Sequence, residues 1–379
     1  MNEREITLST GQTVHLRNSQ GVPKSAHADE TRLLLAEHAA VAARGRVLDL
    51  GCGTGLVALA AASGGATVVA ADVDLSYCRL ATEHARLNNK LVESCHSDGF
   101  DHLRGDPFEY IYFAPPSHAP QATVRKLIVQ AAAWLPESGR LVLATRPKSG
   151  GGRHLQWAEG MLEQATRASA RGDSEVWEYQ RAGADDVAAS QAADALADEE
   201  SSGIRATIKG HDLQFWTKVG VFAWDAIDRG TTLLLKHLPQ TTPSTVLDLG
   251  CGYGAVGVLA CKLYPDARVT MSDVDKRALD CATRNVEINE CGDVEVVASV
   301  GFSDIDASFD LILSNIPTHI GRWRVRELLE EAREHLHPGG ALVAVISRQL
   351  TVDEWAREIF GNVATVVESK THRVFRCER

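Results

Sequence analysis

One phrase is written twice in this chain of 379 residues: Val47-Leu-Asp-Leu-Gly-Cys-Gly-Thr-Gly55 and, 199 residues later, Val246-Leu-Asp-Leu-Gly-Cys-Gly-Tyr-Gly254. In each copy an apolar run broken by one carboxylate meets three glycines at alternate positions. That is the pattern of a strand entering a turn whose backbone takes positive φ or touches a ligand. An apolar helical pattern follows at once, at 56–62 and 255–263, so the turn opens onto a helix N-terminus. A second strand then ends in acid at Asp72 and Asp273, 21 and 23 residues beyond the first glycine of each copy. A carboxylate at that distance, on the tip of the adjacent strand, can accept hydrogen bonds from both hydroxyls of a ribose. The repeat predicts an α/β chain of two tandem Rossmann-like domains with doubly wound, mostly parallel sheets, produced by internal duplication.

The repeat reaches well beyond the glycines. Thr31-Arg-Leu-Leu-Leu35 is echoed by Thr231-Thr-Leu-Leu-Leu235, and residues 108–118 align without gaps on 309–319. Between the halves, residues 181–203 hold one basic and six acidic residues and almost no large apolar ones. Such a composition buries too little surface to fold alone, which predicts an acidic linker there and domains at 1–180 and 204–379. The formal net charge of −11 argues against nucleic acid, whose binders usually carry basic surface, but nearly half of it sits in the linker. Basic clusters remain at Arg322-Trp-Arg-Val-Arg326 and at Arg146-Pro-Lys148 with Arg153. No run of 18 apolar residues, no signal-peptide pattern and no Cys-x-x-Cys among eight cysteines predict a cytoplasmic protein with reduced thiols, no membrane span and no metal.

Two classes of nucleotide cofactor could use the layout. Dinucleotide sites call for Gly-x-Gly-x-x-Gly beneath a pyrophosphate, whereas here the spacing is Gly-x-Gly-x-Gly, with Asp49 or Asp248 two residues ahead. An aspartate there faces an anion badly and suits a cationic amino-acid tail. The glycine phrase resembles the first motif of class I S-adenosylmethionine-dependent methyltransferases, and the acid after the second strand resembles their ribose-binding motif. The resemblance implies S-adenosyl-L-methionine held in the second half by Asp248, Gly250, Gly252, Gly254, Asp273, Val300 and Asn315. The corresponding set in the first half is Asp49, Gly51, Gly53, Gly55, Asp72 and Asp98.

The second half continues into Asn315-Ile-Pro-Thr-His-Ile-Gly321, which resembles the Asn/Asp-Pro-Pro-aromatic motif of methyltransferases that modify exocyclic or amide nitrogens. A conjugated amine is a poor nucleophile because its lone pair is delocalised. Acceptors for its protons, here the Asn315 side-chain oxygen and the Ile316 carbonyl, turn the lone pair toward the methyl group, and Pro317 stiffens the loop that holds them. The first half has Ala114 where the asparagine stands, so one catalytic domain, the second, is expected. Thr318, His319, Phe222 and Trp323 are the candidate substrate contacts, with Trp216 and Trp224 as flanking aromatics whose ordinary place is the core. The whole resembles the bacterial tandem-domain ribosomal RNA guanine-N2 methyltransferases, which implies RNA as the partner and an RNA-binding role for the first half. Thr318 stands where that family carries an aromatic, which with the acidic charge leaves a small-molecule acceptor as an alternative; a cofactor- or RNA-binding scaffold whose halves have lost turnover is a second.

Overall fold

The computed structural model describes residues 3–17, 29–116, 119–181, 201–317 and 320–379. It divides into two compact units, Met1–Glu200 and Ser201–Arg379. The first runs β1 (Glu3–Thr7), β2 (Thr13–Arg17), α1 (Glu30–Ala42), β3 (Arg46–Leu50), α2 (Leu56–Ser63), β4 (Thr67–Asp72), α3 (Leu75–Leu87), β5 (Val92–His96), β6 (Tyr110–Phe113), α4 (Gln121–Trp134), β7 (Arg140–Thr145), α5 (Gly152–Glu159), β8 (Glu163–Arg171) and β9 (Ser174–Gln180). The second runs β10 (Ser201–Ile208), β11 (His211–Lys218), α6 (Arg229–Lys236), β12 (Thr245–Leu249), α7 (Ala255–Leu263), β13 (Arg268–Asp273), α8 (Lys276–Ile288), β14 (Val294–Ala298), β15 (Phe309–Asn315), α9 (Arg322–Glu334), β16 (Leu336–Ser347), α10 (Asp353–Phe360), β17 (Ala364–Glu368) and β18 (His372–Glu378).

Each unit is built on a seven-stranded sheet, ordered β5-β4-β3-β6-β7-β9-β8 in the first and β14-β13-β12-β15-β16-β18-β17 in the second. The first five strands of each list are parallel and the last two join antiparallel. The period-2 alternation of strand side chains explains why the glycine phrase reads as nearly continuous apolar sequence. Val246 enters the core on one face, while Leu247 and Leu249 enter the core on the other. Val47, Leu48 and Leu50 divide in the same way.

The linker is shorter than its composition suggests. Ser201, Ser202 and Gly203 belong to β10 and pair with Lys218, Thr217 and Trp216. Backbone pairing needs no large side chains, so a small-residue strand reads as linker. At the other end the Arg181 N–H donates to the Gly139 carbonyl at 2.9 Å and prolongs the sheet. The remainder of the expected linker, 182–200, lies outside the described residues.

Each unit also carries a two-stranded hairpin, β1-β2 or β10-β11, held by polar side chains that imitate a neighbouring strand. Fully buried Asn285, on α8, accepts from the Trp216 N–H at 2.7 Å and donates to the carbonyls of Trp216 and Tyr253, both at 2.8 Å. One turn on, Asn289 accepts from Gln214 N–H at 3.1 Å and returns a bond to its carbonyl at 2.7 Å. Asn88 does the same for His15 in the first unit, while His84 replaces Asn285 there, accepting at Nε2 from the Arg17 N–H at 2.9 Å. Asn285→Ala strands one N–H and two carbonyls and is expected to cost about 2–3 kcal/mol, measured as a loss in the urea stability of the full chain. Asn285→His, which copies the first unit, is expected to recover part of it; a loss below about 0.5 kcal/mol for the alanine variant would contradict the clasp.

Candidate active site

In an open parallel sheet, ligands bind beyond the carboxyl ends of the strands where the winding reverses. In the second unit that point falls at β12, which lies between β13 and β15. Leu249 is in register with Ser272 on one side and Ser314 on the other, and the Ser314 Oγ donates to the Leu249 carbonyl at 2.9 Å. The glycine turn, Asp273 and Asn315 therefore leave the sheet side by side. Ala298 pairs with Asp273, which adds the following segment with Val300 to the same rim.

The turn is fixed from beneath. The N–H groups of Gly250 and Cys251 both donate to the Ser272 carbonyl, at 2.8 and 2.9 Å. Gly250, Gly252 and Gly254 have φ of +71°, +57° and +91°, a region that side chains other than glycine rarely enter. A Cβ placed on Gly252 meets no described atom within 4 Å, so this stretch of backbone is open to a ligand. Gly252 N–H donates to Asp273 Oδ2 at 2.8 Å and Asp275 N–H to Oδ1 at 3.0 Å. Each carboxylate oxygen keeps a further lone pair, which fits the two hydroxyls of a ribose.

Asp248 is 1 % exposed, and its Oδ2 accepts from the Gly257 N–H at 2.7 Å. It ties the strand end to the first turn of α7, a structural duty beyond the tail-binding role expected of it. Burial pushes its carboxyl up to about 7, with the Gly257 hydrogen bond opposing and the Asp273 charge adding to the rise. Burial also raises Asp273, to about 6.

Asn315 ends β15, half-buried, with its amide nitrogen donating to the Thr231 Oγ1 at 2.9 Å and to the Asp228 Oδ2 at 3.3 Å. A carboxylate only accepts, so the nitrogen must face Asp228 and the orientation of the amide is settled. With both protons committed, Oδ1 is the edge left to accept from something else. Asp228 also caps α6, receiving the N–H groups of Gly230 and Thr231 at 2.7 and 3.2 Å. Neither Asp228 nor Thr231 stood out as a site residue in the sequence. The available signal was an aspartate at a helix start three residues before a threonine repeated in both halves. Beyond Asn315 the Ile316 N–H donates to Val345 at 3.1 Å, and Pro317, which has no N–H, ends the pairing. Thr318 and His319 lie outside the described residues.

Of the four aromatics, Trp216 and Trp224 pack against the core, and the Arg284 guanidinium lies 4.3 Å over the Trp216 ring. Phe222 and Trp323 are 65 % and 39 % exposed, Phe222 on the segment leading to Asp228 and Trp323 in the first turn of α9. The basic cluster of α9 is tied to acids: Arg324 to Glu327 at 2.7 Å and Glu331 at 3.2 Å, Arg326 to Glu358 at 2.8 Å and Glu330 at 3.0 Å. In the first unit Lys148 and Arg153 are exposed and form no ion pair among the described residues.

The first unit repeats the rim bond for bond. Asp49 accepts from Ala58 N–H at 2.9 Å, Gly51 and Cys52 donate to the Ala71 carbonyl at 2.8 and 3.0 Å, and Asp72 accepts from Gly53 and Asp74 at 2.9 and 3.0 Å. Gly55 caps α2 with φ of +76°, and Asp98 is buried after β5. The edge beyond the fourth parallel strand differs. Ala114 is buried in the core, and the Thr31 hydroxyl pairs with that of Ser174 at 2.9 Å instead of an asparagine. Among the described residues no group of three His, Cys, Asp or Glu side chains could hold a metal, and no helix is long and apolar enough to cross a membrane.

A family model described as the methyltransferase small domain matches residues 13–170 and again 212–376. The ribosomal RNA small subunit methyltransferase C of Haemophilus influenzae (strain PittGG) is 37 % identical over 168 residues, 43 % of this chain and 51 % of that protein. The protein of the same description from Pseudomonas putida (strain W619) is 35 % identical over 171 residues, 44 % of this chain and 51 % of that one. The matched region thus spans about half the length of these curated relatives. A solved T. thermophilus 16S rRNA N2 G1207 methyltransferase, in complex with AdoMet and guanosine, has the same fold, with a TM-score of 0.80 and 22 % identity, covering 100 % of this chain and 98 % of that one. With the family model matched on both of its halves, this chain belongs to the methyltransferase small domain family.

Proposed function

We propose that the second unit transfers a methyl group from S-adenosyl-L-methionine to the exocyclic N2 amine of a guanine in small-subunit ribosomal RNA, in the cytoplasm, while the first unit serves RNA binding. The observation that carries this reading is the Asn315 amide, whose nitrogen is held by Asp228 and Thr231 so that its oxygen is preorganised to accept a hydrogen bond from an amine. The names of the relatives support the substrate class. When bound, the cofactor supplies a methyl group on a positively charged sulfur. Asp273 accepts the ribose hydroxyls, and the buried carboxylates of Asp248 and Asp273 supply the negative field that a cationic ligand prefers. Asn315 Oδ1 accepts a hydrogen bond from one amine N–H, fixes the rotation of the amine and aims its lone pair, and after methyl transfer the cationic nitrogen loses a proton to water. Exposed Phe222 and Trp323 offer faces on which a flat base can stack, and exposed Lys148 and Arg153 offer charge to phosphate. The acid-paired Arg324 and Arg326 favour a second reading, a small neutral acceptor, and salt separates the two because only RNA binding weakens steeply as salt rises.

Mass mapping of small-subunit RNA from a strain lacking this protein is expected to show the loss of one N2-methylguanine; an unchanged pattern refutes the RNA reading. Asn315→Ala is expected to lower turnover at least ~10²-fold while cofactor still binds. Thr231→Val removes one of two anchors and should lower kcat about 10-fold with KM little changed, and Thr231→Ser should restore it; equal activity in all three would take the anchor out of the mechanism.

Acid adds a separate test. In the folded chain Asp248 and Asp273 protonate at about 7 and about 6, above the ~4 of an unfolded aspartate. The ligand-free fold therefore binds more protons than the unfolded chain across that interval, and its stability falls as pH rises from about 4 through 7. Affinity for a cationic cofactor runs the other way, falling as pH drops through about 7 and then about 6. Asp248→Asn is expected to raise the ligand-free Tm at pH 8 and to weaken cofactor binding, read by calorimetry and dialysis; no change in either removes the charge from the account.

A further inference from the structure

We propose that Arg32 fills the cofactor cleft of the first unit, so that a chain with two complete glycine-and-acid motifs binds one S-adenosylmethionine. The claim rests on the second unit being the cofactor-binding one, as proposed above.

Arg32 lies in the first turn of α1, its N–H held by the cap residue Asp29 at 3.0 Å. Its side chain reaches across to the glycine turn. Measured from where a Cβ on Gly53 would stand, Nη1 is at 3.1 Å, Cζ at 3.4 Å and Nη2 at 3.6 Å. The planar fork thus covers the stretch of backbone that a glycine leaves open for a ligand. The same position on Gly252 meets no described atom within 4 Å. The repeat explains the difference, because Thr31-Arg-Leu-Leu-Leu35 aligns on Thr231-Thr-Leu-Leu-Leu235 and puts Thr232 where Arg32 stands.

The charges agree with the geometry. Burial raises the carboxyls of both Asp49 and Asp72, and the Arg32 charge opposes the rise at each. At Asp248 the opposing influence is the Gly257 hydrogen bond, with no cation taking part. S-adenosylmethionine carries a sulfonium, an ammonium and one carboxylate, a net positive ligand. A guanidinium stays charged at any pH a protein survives. Arg32 therefore takes the space, offsets part of the charge of the acids and repels the ligand those acids would attract. The neighbouring changes are consistent with retirement of this rim: Ala114 lacks the asparagine amide, and Thr31 has turned to Ser174.

The test counts cofactor bound per chain by equilibrium dialysis with labelled S-adenosylmethionine on the full-length protein. Arg32→Thr, which installs the residue found at 232, is expected to raise the stoichiometry by one over the unaltered chain. Arg32→Lys, which keeps the charge, should not. Adding Asp72→Ala to Arg32→Thr should remove the extra site and thereby place it in the first unit. No increment from Arg32→Thr, or two sites in the unaltered protein, overturns the proposal. Because the increment decides, an unaltered chain that binds none would sink the reading of the second unit while Arg32→Thr still tested this one. Arg32→Met serves as the second uncharged variant, and thermal melting confirms that both remain folded.

Discussion

Each unit hangs on a carboxylate buried at the end of its first parallel strand. Asp49 and Asp248 reach across the glycine turn and accept the N–H of the third residue of the following helix, Ala58 or Gly257. That bond satisfies one of the donors a helix start leaves over and fixes how the helix lies on the strand. The next strand then braces the turn through its penultimate carbonyl, Ala71 or Ser272, and through the carboxylate at its tip, Asp72 or Asp273. The rim where a ligand can sit is thus made rigid from within. Its cost is two acids held close together away from water, which a cation can offset.

The two units answer that cost differently. The second leaves its turn open and sets a locked asparagine amide beside it. The first brings in its own guanidinium, and Ala114, just past β6, stands where an asparagine would. A duplicated domain keeps its glycine phrase because the phrase holds up the fold, while the residues facing the cleft are free to change. Persistence of a motif and persistence of a site are separate matters in this chain.

Much of this was legible in the residues. The repeat predicted the two sheets, and the glycine turns, the acids and the strand before Asn315 fall where the pattern placed them. The linker was overestimated because Ser201–Gly203 belong to a paired strand without any large side chain to mark it. Arg322–Arg326 read as a basic cluster because the sequence does not show Glu358 reaching Arg326 from another helix. Asp228, Thr231 and Arg32 were missed for a related reason. Their roles arise from side chains crossing between elements distant in sequence, 84 residues apart for Thr231 and Asn315, and no local period records such a meeting.

The hairpin clasp bears on the rim in its own way. Asn285 and Asn289 hold β11 by the backbone of Gln214 and Trp216, and Asp228 is held by the Asn315 amide and by the start of α6. The segment between Lys218 and Asp228, which carries Phe222, is therefore anchored at both ends. Lengthening a loop whose ends are already fixed is cheap, about 0.6 kcal/mol for each doubling, and the anchors need not move. Sequence and length can therefore vary in those residues without disturbing the Asn315 amide, which makes this span the natural place for insertions that leave the rim intact.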